Sequence, residues 1–218
     1  MREVLNMTEG LRRLMLTYVR GYSVWISFQT EEERVVSKAL QWERDYGTRL
    51  LAYQRQDLKE RGQPTAVATS MLVLGSPSLR EVFLMATPLA LSAPKASPWA
   101  TQKWQERPLR CGIYIMVRSP RPRGDYAWTW NLQADVVSRL ASRLTYLVKS
   151  GNEFSIRVEI NSWVSTFSMF RGVRQQLTRL LKSAQKLWHA CHRINWPAIS
   201  PESLPFITEF KSHVVRKS

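Results

Sequence analysis

The sequence predicts an α+β fold: a mostly antiparallel sheet with long amphipathic helices packed on it, in one domain or two subdomains. Three observations carry this expectation. Short segments alternate apolar and polar residues, as in Tyr126-Ala-Trp-Thr-Trp-Asn-Leu132. Longer segments repeat apolar residues at helical spacing, as in Val137, Leu140, Ala141, Leu144, Leu147 and Val148. Long sequential βαβ repeats are absent, which argues against a parallel sheet.

Thr8 is a candidate N-cap for a helix from Glu9 to Arg20, closed by Gly21. Tyr22 to Phe28 reads as a strand with Tyr22, Val24, Ile26 and Phe28 on one face. Thr30 and the acidic run Glu31, Glu32 and Glu33 open a second helix. It is expected to run past Gly47 to Leu58 and to stop at Gly62 and Pro64. Residues 65–75 read as a buried strand, and Arg80 to Thr87 as its hairpin partner. These elements make an N-terminal α+β section, residues 1–88. Residues 89–108 are expected to form a Pro-rich linker, with Trp99 and Trp104 packing on something.

A basic section with a C-terminal tail, residues 109–218, follows. Leu109 to Val117 is expected as one strand, and the turn Ser119 to Asp125 leads into Tyr126 to Leu132. A helix spans Ala134 to Ser150, with Gly151 at its C′ position. Phe154-Ser-Ile-Arg-Val-Glu-Ile160 has apolar residues at every second position and reads as a half-buried strand. Trp163 to Phe167 extends it or forms another. The last helix, Phe170 to Arg193, turns Val173, Leu177, Leu180, Leu181, Ala184, Leu187, Trp188 and Cys191 inward. The tail, with Pro197, Pro201 and Pro205, is expected to wrap irregularly.

Charge speaks more directly to function than any motif. The 218 residues carry a formal net charge of +15. Residues 107–193 alone hold 15 Lys and Arg against 4 Asp and Glu, a net of +11. A field of this size selects nucleic acid or an anionic membrane surface as partner. No P-loop, dinucleotide fingerprint, nucleophile elbow or converging set of carboxylates is present, so the expectation is a non-enzyme. His189 and His192 are helical neighbours around Cys191, but they lack the further ligands that a metal site needs. No cofactor or metal is expected. Cys111 and Cys191 are read as buried reduced thiols, with a disulfide left open.

The functional expectation is an RNA-binding, non-catalytic component of a ribonucleoprotein assembly, held by phosphate contacts and by other proteins of the same assembly. The candidate contacts are Arg110; Arg118, Arg121, Arg123, Tyr126, Trp128 and Trp130 of the hairpin; and Arg171, Arg174, Arg179, Lys182, Lys186 and Arg193 of the last helix. Guanidinium groups would take phosphate, and the rings would take unstacked bases. The hairpin tryptophans could instead be core, because alternation does not say which face is wet. Two alternatives stand beside this reading. One is a DNA-binding protein of a plasmid, phage or mobile element. The other is a matrix-like viral protein on an anionic membrane. No run of 18 apolar residues is present, and an intracellular place is expected, cytoplasmic or organellar. The first 23 residues suit either a mitochondrial presequence or the first helix of the fold.

The order hairpin, helix ending in Gly151, strand Phe154–Ile160 and basic helix resembles the core of an RNase H-like ribosomal protein family. That family carries a Gly-rich loop after the strand, where this chain has Asn161-Ser-Trp-Val-Ser-Thr-Phe-Ser. Its enzyme relatives need an acid on the first strand, and Leu109 to Val117 has none, so no residue roles are carried over.

Overall fold

The computed structural model describes residues 2–4, 7–73, 76–106, 108–121, 124–193 and 195–205, with side chains of 2–4 and 77 excepted. The protein is α+β, and the chain divides into two compact units, Met1–Gly112 and Ile113–Ser218.

The first unit contains β1 (Arg2–Val4), α1 (Met7–Val19), β2 (Val24–Glu31), α2 (Glu32–Tyr46), α3 (Ala52–Glu60), β3 (Ala66–Val73), β4 (Ser76–Ala86) and the two-residue β5 (Arg110–Cys111). Four strands form a sheet in the order β1-β3-β4-β2. All its pairings are antiparallel except β1 with β3. Side-chain alternation sends Ala66, Ala68, Val82, Leu84, Ala86 and Val24 to one face, where Trp42 and Tyr46 of α2 cover them. α1 lies against β3, with Leu11 and Leu14 buried and Gly10 set against Met71.

The expected second helix is in fact two. Gly47 adopts φ 61°, a left-handed conformation that ends α2, and its N–H bonds to the Glu43 carbonyl. The Pro-rich segment forms short 3-10 turns at Pro88–Ser92 and Pro98–Thr101. Trp99 and Trp104 stack at 6.0 Å and pack on Tyr46 of α2. The Trp104 indole N–H donates to the Trp99 carbonyl at 2.8 Å, and the Tyr46 hydroxyl to the Pro98 carbonyl at 3.1 Å.

The sheet also holds a half-buried acid. Glu81 of β4 accepts from the Cys111 thiol at 3.6 Å and stands opposite Met71 of β3. Burial raises its carboxyl above the usual range, against the lowering effect of hydrogen bonds from Cys111, Gly112 and Ser27. Burial, then the facing Glu81, pushes the Cys111 thiol well up, so it stays protonated and inert. Glu81 binds its proton more tightly folded than unfolded. The contribution of this carboxyl to stability is therefore full below its unfolded pKa and is lost as pH rises through the higher folded value. Glu81→Gln is expected to remove this fall and to raise the urea midpoint at neutral pH. Midpoints measured from pH 4 to 8 check it, and parallel curves for parent and variant would refute it.

The second unit contains β6 (Tyr114–Pro120), β7 (Tyr126–Leu132), α4 (Ala134–Ser150), α5 (Glu153–Thr166) and α6 (Arg171–His192). β6 and β7 are an antiparallel hairpin with Tyr114 opposite Leu132, Met116 opposite Trp130 and Arg118 opposite Trp128. The single strand expected from Leu109 to Val117 is interrupted by a turn at Gly112 and Ile113.

The larger correction concerns residues 154–160, which are helical. The Asn152 side chain caps α5 by accepting the Ser155 N–H at 2.9 Å. Ile156, Ile160 and Trp163 then form its buried face. A spacing of four fits both the strand and the helix period, so Ile156 and Ile160 could not distinguish them. The two residues that completed the alternation, Phe154 and Val158, are 76% and 51% exposed. Without that strand, the element order behind the RNase H-like resemblance does not exist in this chain. Cys191 is a second correction: it is an exposed free thiol at the end of α6, while Cys111 is buried.

Candidate nucleic-acid interface

α6 is the scaffold of the site. Its buried residues Val173, Leu177, Leu181, Ala184 and Trp188 fall on one side. The opposite side carries Arg179, Lys182, Lys186 and Arg193, all exposed. The helix contains no acidic residue, and the sequence has none between Glu159 and Glu202. At about 1.5 Å per residue its 22 residues span about 33 Å.

The N-terminus of α6 meets the hairpin at unusually close range. A Cβ on Gly172 would come within 1.9 Å of Asn131 Oδ1 and 2.5 Å of the Trp130 carbonyl oxygen. That closeness lets the Gly172 N–H donate to Thr129 Oγ1 at 3.0 Å. One turn on, the Gln176 side-chain amide accepts the Leu132 N–H at 2.8 Å and donates to the Leu132 carbonyl at 3.1 Å, mimicking a strand partner. The Arg171 guanidinium donates to the carbonyls of Ser119 and Pro120, both at 2.9 Å. The hairpin tip is thereby fixed beside the first turn of α6, on the side of the cationic stripe.

The candidate residues sort into three groups. Arg179, Lys186 and Arg193 are exposed and have no partner among the described residues, so their donors face solvent. Arg118 is exposed at the tip, its guanidinium carbon 5.6 Å from the centre of the Tyr126 ring, and Tyr126 is 60% exposed. Together they offer a cation and a ring at one point.

A second group is charged but engaged. Arg121 pairs with Asp125 at 3.2 Å across the turn. Lys182 pairs with Glu202 at 3.2 Å. Both pairs are solvent-exposed and therefore weak, so a phosphate can compete for either cation. The Ser200 hydroxyl, the Glu202 N–H and Lys182 hold the Glu202 carboxyl below its ordinary range.

The third group serves the fold. Arg171 spends its guanidinium on the tip, and Arg174 donates to the carbonyls of Leu204 and Glu202 at 2.9 and 3.0 Å. Trp130 is 0% exposed, so no base can stack on it, and its ring belongs to the core. Trp128 is half-buried. Arg110 is exposed on β5, in the first unit. Arg123 lies outside the described residues, as does the end of the tail from residue 206.

No group of three or more His, Cys, Asp or Glu able to hold a metal ion occurs among the described residues. His192 instead bonds the Val148 carbonyl at 2.7 Å and packs on Trp188 at 4.2 Å. No helix among the described residues is long and apolar enough to cross a membrane. No protein-family model, curated protein or solved structure matches the chain.

Proposed function

We propose that this protein is a non-catalytic RNA-binding component of a ribonucleoprotein assembly, gripping the phosphate backbone with the outer face of α6 and the hairpin tip. The observation that carries this reading is the outer face of α6, a helix with no acidic residue, where Arg179, Lys186 and Arg193 have no partner among the described residues and an exposed Arg118–Tyr126 pair stands at the hairpin tip. Fixed cations on a rigid helix gain affinity by counterion release without needing base identity. Selectivity then comes from the shape of the RNA, with Tyr126 available to a base outside a duplex. Packed anchors such as Arg171 keep the tip in register with the helix, so the surface needs little ordering on binding.

The test compares three polyanions in one titration of the full chain: a structured RNA, duplex DNA of equal length and phosphatidylserine vesicles. Structured RNA is expected to bind most tightly, with log affinity falling linearly with log salt. Tighter binding of duplex DNA or of vesicles, or no binding of any of the three at physiological salt, overturns the reading.

A further inference from the structure

We propose that the groove between α2 and the outer strand β2 of the first unit binds single-stranded RNA, with Phe28 as the platform for an unstacked base. The inference rests on the RNA-binding reading above but uses residues outside the α6 surface.

The groove is open to solvent and offers about 460 Å³. That lies within the range of sites that hold small ligands, roughly 300–1,000 Å³, and has room for one nucleotide. Its helical wall is a single face of α2, where Arg34, Ser37, Lys38, Gln41 and Arg44 recur at three- and four-residue intervals. Its other wall is the end of β2 at Phe28 and Thr30. β2 is the outer strand of its sheet, and its outer edge is bridged by Gln105 at Trp25, three residues from Phe28.

Phe28 continues the inward-facing row of Val24 and Ile26 but lies beyond the end of the covered core and is 37% exposed. The edge-on contact with buried Trp42, 5.7 Å between centres at 75°, holds its ring in place. The Lys38 ammonium stands 5.4 Å from the Phe28 ring centre and 5.7 Å from that of Trp42.

The charges favour a phosphate-bearing ligand. Arg34, Lys38 and Arg44 line the groove with one acid, Asp45, and Glu31 stands beside Arg34, so the local balance is +1. Arg34 has only a loose, exposed partner in Glu31 at 3.5 Å, and Arg44 has no ion pair among the described residues. Among the described residues Lys38 is held by the Gln41 amide at 2.8 Å and by the two rings. Cations alone would suit any anion. The exposed ring adds a flat apolar face, and the Ser37 hydroxyl and Gln41 amide add hydrogen-bonding groups for a base edge. Ring, cation and polar edge together match a nucleotide. A duplex keeps its bases stacked and cannot offer one to Phe28, so the ligand is single-stranded. On binding, the base takes the ring face and the Lys38 ammonium moves to a phosphate.

The experiment uses the full chain, an unstructured uridine-rich decamer and a structured RNA. Dissociation constants come from anisotropy, and contact sites from ultraviolet cross-linking with peptide mapping. Phe28→Leu keeps an apolar side chain over Trp42 but removes the stacking face. It is expected to weaken decamer binding roughly 5- to 10-fold, to abolish the cross-link at β2 and to leave structured-RNA affinity unchanged. Arg34→Gln with Arg44→Gln changes two exposed side chains with no core role and is expected to weaken decamer binding similarly. Parent-like decamer affinity in both variants, or cross-links only on α6 and the hairpin, overturns the inference. A parent that binds structured RNA but not the decamer overturns this site alone. A parent that binds neither overturns the broader reading as well.

Discussion

Gly172→Ala is expected to cost about 3 kcal/mol and to lower the melting temperature by roughly 10 °C. At an open helical site the same change would stabilise by about 1 kcal/mol, because alanine is the better helix former. Here the added methyl meets the Trp130 carbonyl oxygen at 2.5 Å and Thr129 Cγ2 at 2.9 Å, besides Asn131 Oδ1 at 1.9 Å. A backbone oxygen cannot swing aside, so α6 must lift from β7. Lifting stretches the Gly172–Thr129 bond and the paired Gln176–Leu132 bonds together. Clash and lost hydrogen bonds therefore outweigh the propensity gain.

Gly10→Ala is the internal control. A methyl there meets the terminal carbon of Met71 at 2.3 Å, but a flexible thioether chain can move. The loss at Gly10 is expected to be well under half that at Gly172. Chemical denaturation of the two variants checks both, and an unchanged midpoint for Gly172→Ala would show that helix and hairpin are not locked as described.

The joint replacement of Arg179, Lys186 and Arg193 by Gln is expected to weaken RNA binding roughly 10- to 100-fold near physiological salt. It should also lower the slope of log affinity against log salt by about 2–3 units. Three phosphate contacts account for that slope, at roughly 0.7–0.9 each. The side chains are exposed and unpaired, so stability should change by no more than about 0.5 kcal/mol. Arg61→Gln is the matched control, since Arg61 is equally exposed but pairs with Asp57 on α3. It should leave both affinity and slope unaltered. A triple variant with parent affinity and slope would remove α6 from the interface.

Particular residues show how far the sequence could be read. The helix Ala134–Ser150 and the strand Tyr126–Leu132 stand where periodicity put them, because each has one dominant period and a clear stop. The two-sided character of α6 was equally legible: 22 residues are long enough for its cationic and apolar stripes to separate. Residues 154–160 were not legible, since apolar residues four apart satisfy both periods. The side chain that decided for helix was the Asn152 cap, one position before α5. Gly47 reads as part of one long helix, whereas its left-handed φ of 61° ends α2 there.

The sequence by itself determined the α+β composition, the cationic and apolar sides of α6 and the excess charge of residues 107–193. Those are local properties, fixed by residue type and spacing. Only the tertiary structure decided which candidate cations remain unpaired. Arg171 and Arg174 read in sequence much like Arg179, yet their guanidinium groups bind carbonyls 28 to 52 residues away. Trp130 and Tyr126 occupy the same alternating face, yet one is sealed in the core and the other stands at the tip. A hydrogen bond or a buried ring depends on what the folded chain brings alongside, and residue spacing carries no record of it.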